Sequence, residues 1–282
     1  DESTYGTIIH GVLEDLYKAE RESLLHGRFN RQAIERLMKK DVAIEQAITR
    51  RINHHYNRLG EDSLVPLKGD AEIFGEIMKK YILFVLKRDI EAGEFEYLAG
   101  EFDNSGRLRL QGTNEAVEIN FKYTIDRIDR LVSAADGSTR LRIIDYKTGE
   151  DETSIIDIKD MFLDRGKSGK RAKAMLQLFL YCQAFAQAKN LAEPIQPWIY
   201  SIRKVATTPF SPLRISAPQT DDKKARKKTE ITDYRDYAIE FNDLMLEVLA
   251  DLFNPEIPFT AATDDHACTF CKFTEICRKR PR

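Results

Sequence analysis

Ile143-Ile144-Asp145-Tyr146-Lys147-Thr148-Gly149 is the stretch on which the fold turns. Two β-branched residues run straight into an acid, an aromatic ring, a lysine and a glycine turn. Side chains alternate faces along a strand, so Asp145 and Lys147 point to the same side. A carboxylate that can hold a divalent cation, beside an ammonium that can steer a water or support developing charge, suits phosphodiester hydrolysis. The same spacing also describes a solvated surface ion pair, and this strand alone leaves both readings open.

A second acidic strand lies just upstream. Phe121-Lys-Tyr-Thr-Ile-Asp126-Arg-Ile-Asp129 is rich in β-branched and aromatic residues. Ala134-Ala-Asp-Gly-Ser138 follows as a turn and then Arg140 to Tyr146, which together read as a hairpin. In a hairpin Asp126 and Asp145 can converge at one end of the sheet. Two carboxylates held together repel, and a bound Mg²⁺ or Mn²⁺ compensates them. The competing reading is a pair of surface strands whose acids neutralise Arg127, Arg130 and Arg142.

With these strands in place the chain resembles the PD-(D/E)xK nuclease superfamily, in particular the RecB/AddB-type nuclease domains of bacterial recombination helicase–nucleases. Gly6-Thr-Ile-Ile-His10-Gly-Val-Leu-Glu-Asp-Leu-Tyr17 is similar to that family's N-terminal histidine helix, and Gln177-Leu-Phe-Leu-Tyr181 to its Q-x-x-x-Y helix. Cys268-Thr-Phe-Cys271, then Cys277, is similar to the C-terminal part of its iron–sulfur cysteine set. The pieces run in the family's order across nearly the whole chain. The resemblance implies an α/β, restriction-endonuclease-like fold with a mixed central sheet flanked by helices. It implies Asp126 and Asp145 as metal carboxylates, Lys147 as the catalytic lysine, and His10 as a ligand or its neighbour. Glu101 matches an acid that several members place at the site, and Gln177 and Tyr181 would border the site and the DNA. Asp129 is structural on this alignment. It further implies an exonuclease-type deoxyribonuclease in double-strand break repair and recombination, acting on DNA ends or single strands beside a helicase.

Two departures stand out. Tyr123 occupies the position, three before Asp126, where the family usually has glycine. Members with a [4Fe-4S] cluster take one cysteine from upstream of the histidine helix, so in this chain the set is incomplete. The start at Asp1, a few residues before His10, reads as an excised fragment of a longer protein. Without the family, Cys268, Cys271 and Cys277 are three thiolates, one short of a closed tetrahedral site. His266 could complete a zinc site, whereas Cys182, on an apolar helix, reads as packing.

Four cysteines in 282 residues argue against a disulfide framework and for a reducing cytoplasm. No apolar run is long enough for a membrane. A net charge of −2 excludes a uniformly basic DNA binder, so nucleic-acid contact has to come from local patches. One patch is Lys159, Arg165, Lys167, Lys170, Arg171 and Lys173, between the Asp145 strand and the Gln177 helix. Another is Lys223 to Lys228, read as a solvated, mobile loop.

The periodicity predicts a helix over 8–25 with Ile9, Leu13, Leu16 and Tyr17 on one face, and one or two charged helices over 30–59 with His54 and His55 exposed. A long helix over 70–92 is capped by Asp70 and stopped by Gly93, with Ile73, Phe74, Ile77, Tyr81 and Phe84 as its stripe. Strands run from 95 to 146, a deeply packed helix over 175–186, a strand over 197–203 and a last helix over 234–253. The chain divides into a helical part, 1–93, a nuclease core, 94–253, and a cysteine segment, 254–282, integrated as one domain. Besides a nuclease, two classes fit: a nuclease-fold scaffold that only grips DNA or a partner, and a thiolate-metal structural module.

Overall fold

The computed structural model describes residues 2–111, 116–133, 135–149, 152–162, 172–189, 193–207, 211–218, 226–260, 268 and 271–278. The elements are α1 (Glu2–Arg21), β1 (Arg28–Phe29), α2 (Arg31–Met38), α3 (Asp41–His55), α4 (Asp70–Ala92), β2 (Phe95–Gln111), β3 (Ala116–Val132), β4 (Thr139–Lys147), β5 (Ser154–Ile155), α5 (Lys173–Lys189), β6 (Ile195–Ser201), β7 (Ser211–Pro212), β8 (Arg214–Pro218), β9 (Arg226–Glu230), α6 (Ala238–Phe253) and α7 (Thr274–Cys277).

The hairpin of β3 and β4 forms for local reasons. Gly137 takes φ +69, which costs glycine little, and Asp136 accepts hydrogen bonds from the Ser138 amide at 3.0 Å and hydroxyl at 2.7 Å. Among the described residues the main sheet has the order β1-β2-β3-β4-β6-β7. Every neighbouring pair in it is antiparallel except β4 and β6, which run parallel. Parallel neighbours need a crossover, and α5 lies in the segment that supplies it. Strands β5, β8 and β9 form a small second sheet. This is the mixed, helix-flanked sheet that the sequence predicts.

Two apolar cores cover the two faces. Ile144, Tyr146 and Tyr200 join α1, α2, α3 and α4 in one; Leu141, Ile143, Met175, Leu178 and Phe179 join α6 in the other. The alternation along β4 sends Tyr146 toward the α1 side and leaves Asp145 and Lys147 on the α5 side.

Several local expectations are corrected. Gly69, at φ +60, precedes α4 as its N-cap, and Asp70 lies in the first turn instead of capping it. The buried face of α4 runs through Met78, Ile82, Val85, Leu86 and Asp89, while Ile73 and Ile77 are 62% and 43% exposed. Phe74, Tyr81 and Phe84 of the expected stripe do pack against the core, half-buried, so periodicity finds the edge of the buried face and misses its centre. The first helix ends at Arg21, so Leu25 falls outside it, and Ile202–Lys204 and Tyr234–Tyr237 are 3₁₀ turns. His54 and His55 are half-buried. The Lys223–Lys228 run enters strand β9 at Arg226, so its end is not a loop. Arg165, Lys167, Lys170, Arg171, Lys223 and His266 lie outside the described residues.

Candidate active site

The site forms where strand pairing opens. The β3–β4 ladder ends at Arg127↔Ile144, so the next facing positions are Asp126 and Asp145. On the other side Gly100 pairs with Arg127 and Phe102 with Ile125, which sets Glu101 opposite Asp126. Three carboxylates therefore share one row across three strands. The backbone is distorted there: Glu101 sits at φ +42, a left-handed conformation uncommon outside glycine. Alternation along β3 switches at the same place. Ile125 enters the α5-side core, yet Arg127, two residues on, reaches Asp89 of α4 in the other.

Helix α1 brings His10 over this row. Its Nε2 lies 3.0 Å from the Tyr146 carbonyl oxygen, which can only accept, so Nε2 carries the proton. The neutral ring then presents the Nδ1 lone pair to Glu101 Oε1 at 3.7 Å and Asp126 Oδ1 at 3.6 Å. Burial holds the imidazole pKa below its usual value. Donating one ring N–H to a backbone carbonyl is how metal-ligating histidines are commonly oriented. The opposite face of Tyr146 matters too, for its amide donates to Asp126 Oδ2 at 2.7 Å.

The donor set fits a divalent cation. Ligand atoms of His10, Glu101 and Asp126 lie within 4.8 Å of one another, the only such group among the described residues. Glu101 Oε1 is buried with no hydrogen-bond partner. Burial first, and then repulsion by Asp126, pushes the Glu101 and Asp145 carboxyls up to about 7; burial does the same to Asp126. An unpartnered buried oxygen beside raised, mutually repelling carboxyls is the situation a cation relieves.

Asp145 stands next to this group, with Oδ2 ion-paired to Lys147 Nζ at 2.8 Å. Lys147 also donates to Gln177 Oε1 at 2.7 Å, and Gln177 Nε2 donates to Tyr181 Oη at 2.5 Å. One turn of α5 thus fixes the ammonium. The structure brings together His10, Glu101, Asp126, Asp145, Lys147, Gln177 and Tyr181. A cavity of about 310 Å³, lined by Gly6, Thr7, His10, Glu101, Tyr146, Lys147, Thr148 and Gly149, opens on His10, Glu101 and Lys147 among them. A larger groove of about 620 Å³ between α1 and α3 mixes Arg50, Arg51 and Lys18 with Asp15, Glu22 and Glu61; none of the carboxylates of this row lines it, though the Arg51 charge acts to lower the Glu101 pKa.

The cysteines do not join this site. Cys268 is buried, Cys271 half-buried and Cys277 exposed, and they form no such ligand group among the described residues. The Phe273 amide donates to Cys271 Sγ at 3.4 Å. Cys182 is buried in α5, as expected for a packing residue.

Sequence reasoning missed the ionic cluster behind the carboxylates. Arg127 and Arg142, read as possible surface partners, are 1% and 0% exposed. Asp129 accepts from Arg142 at 2.6 and 2.9 Å and from Arg127 at 2.8 Å, which makes it the structural acid anticipated. Asp89, on the buried face of α4, drew no notice at all. Its signal was present: an acid placed three and four residues after Leu86 and Val85 on an apolar stripe.

A sequence model of the PD-(D/E)XK nuclease superfamily matches residues 1–278. The chain belongs to this superfamily, whose members are typically divalent-metal-dependent nucleases.

Proposed function

We propose that the chain is a divalent-metal-dependent deoxyribonuclease of the RecB/AddB type, an exonuclease-type domain that trims DNA ends or single strands beside a helicase in double-strand break repair. It would work in the cytoplasm with Mg²⁺ or Mn²⁺. The observation that carries this reading is the convergence of His10, Glu101 and Asp126 on one point, with the Asp145–Lys147 pair alongside.

His10, Glu101 and Asp126 would hold the ion, with Asp145 at its edge. When bound, the ion supplies positive charge to the scissile phosphate and lowers the pKa of a water. Lys147, steadied by Gln177, would orient the attacking water and stabilise charge developing on the phosphate. His10 in its Nε2–H form holds its lone pair toward the carboxylates. Tyr181, one turn beyond Gln177 and half-buried, would border the DNA path. The cysteine segment is read as the C-terminal part of an iron–sulfur cysteine set.

The test is cleavage of end-labelled single- and double-stranded DNA with Mn²⁺, Mg²⁺ or chelator, beside Lys147→Ala. Metal-dependent cutting lost in the variant supports the reading. DNA binding without cutting under every condition would instead favour a nuclease-fold scaffold.

A further inference from the structure

We infer that Asp89 is a positioning residue for the metal site, tying together the elements that carry its side chains. The inference rests on the metal site proposed above. Asp89 is 0% exposed and projects from α4 into the space behind the carboxylate row. Its Oδ1 accepts from Tyr200 Oη at 2.5 Å, and its Oδ2 accepts from Arg127 Nη1 at 2.8 Å and from Tyr17 Oη.

Each of these donors belongs to an element of the site. Tyr17 is on α1, two turns beyond His10 and on the same helix face. Arg127 directly follows Asp126 in β3. Tyr200 on β6 is the register partner of Tyr146 in β4. Arg127 also reaches Tyr146 Oη at 3.3 Å, and its guanidinium lies 4.6 Å from the Tyr17 ring centre and 4.4 Å from that of Phe95. Tyr146 in turn orients both Asp126, through its amide, and His10, through its carbonyl. One carboxylate therefore fixes α1, β3, β4 and β6 in the one arrangement that brings His10 and Asp126 together.

Charge makes the tie directional. Arg127 and Arg142 are both buried and share Asp129, so without Asp89 two guanidinium groups face a single carboxylate. A buried cation left short of its partner relocates or recruits another. Arg127, already bonded to Asp129 on its own strand, would keep that contact and lose its tie to α4, freeing β3 and the neighbouring Asp126 to shift against α1. The ligand atoms would then no longer meet.

The experiment is Mn²⁺ binding to the metal-free chain, followed by electron paramagnetic resonance without DNA. It compares wild type, Asp89→Asn, Tyr17→Phe and Leu37→Ala, the last a core truncation in α2 away from the site. Asp89→Asn should weaken Mn²⁺ binding about tenfold or more, the range seen when partners of metal ligands are lost, and Tyr17→Phe, which removes one of its three donors, should weaken it by a smaller factor. Leu37→Ala should lower stability with unchanged affinity. Should Asp89→Asn fail to fold, Tyr17→Phe decides. Unchanged affinity in Tyr17→Phe and in folded Asp89→Asn, with wild type binding, overturns the role of Asp89. A wild type that binds no Mn²⁺ sinks the metal-site reading itself, and this inference with it.

Discussion

Replacing Asp126 by asparagine should stabilise the metal-free protein at alkaline pH while abolishing its response to metal. Asparagine keeps the shape and the oxygen that accepts the Tyr146 amide, so only the charge is removed. Burial raises the Asp126 carboxyl from its ordinary 3.8 to about 7. A carboxyl raised in this way leaves stability intact below its unfolded value. The contribution is lost as pH climbs from there through about 7, because ionisation then favours the unfolded chain. Each pH unit of that interval is worth about 1.4 kcal/mol. Going from about pH 5 to about pH 8 should therefore cost wild type roughly 2–3 kcal/mol that Asp126→Asn does not lose. Since Glu101 and Asp145 share the same repulsion, about 2 kcal/mol is the working figure, or about 4 °C in Tm for a chain of this size. Thermal melts of both proteins in chelator across this range provide the measurement. Saturating Mn²⁺ should close the gap by raising wild type alone, by about 2.7 kcal/mol at a hundred times Kd. Parallel Tm–pH curves for the two proteins would refute the reasoning, since they would mean that Asp126 is not strained by its charge.

Other consequences follow from the same geometry. Lys147→Met should cut the cleavage rate by about 10²–10³-fold while Mn²⁺ binding survives, because the lysine is not a ligand; kinetics beside a metal titration would separate the two. Glu101→Gly should relieve the left-handed backbone and stabilise the metal-free fold by about 1 kcal/mol, yet weaken Mn²⁺ binding, as denaturant melts and metal titration would reveal. Gly100→Ala should cost about 1–3 kcal/mol on urea unfolding, because its new Cβ would crowd the buried Tyr97 Oη. Metal affinity should fall by about tenfold or more per unit as pH drops below about 7, because ligand carboxyls must lose their protons to bind. A flat affinity between pH 6 and 8 would contradict that.

The reactive strand and its hairpin were legible because their information is local. A β-branched run, a turn with Asp136 and Gly137, and an acid two residues from a lysine all lie within neighbouring positions. His10 and Gln177 were placed only through the order of motifs, since nothing in an isolated helix marks which histidine will face a strand 136 residues away. On α4 periodicity reached Phe74, Tyr81 and Phe84 at the edge of the core, but Ile73 and Ile77 extend that pattern to solvent, and only packing against α2 and α3 sets the centre of the buried face. Nor does a sequence disclose that Glu101 adopts a left-handed backbone. That conformation is imposed by the opening between strands, where Asp126 must turn from one core to the other.

The opening in the ladder also bears on when chemistry becomes available during synthesis. The β3–β4 hairpin closes through neighbours such as Ser133 and Ser138, so it can form as soon as it leaves the ribosome. The parallel partner β6 arrives only after the crossover, with Ile195 meeting Leu141, and Lys147 reaches its register partner at Ser201. Contacts this distant in sequence close late, because the chain between them must first be confined. A nascent chain short of Ser201 thus carries every acidic residue of the site without the scaffold that aligns them. The aligned site is therefore acquired near the end of folding, and a chain truncated before β6 should lack it.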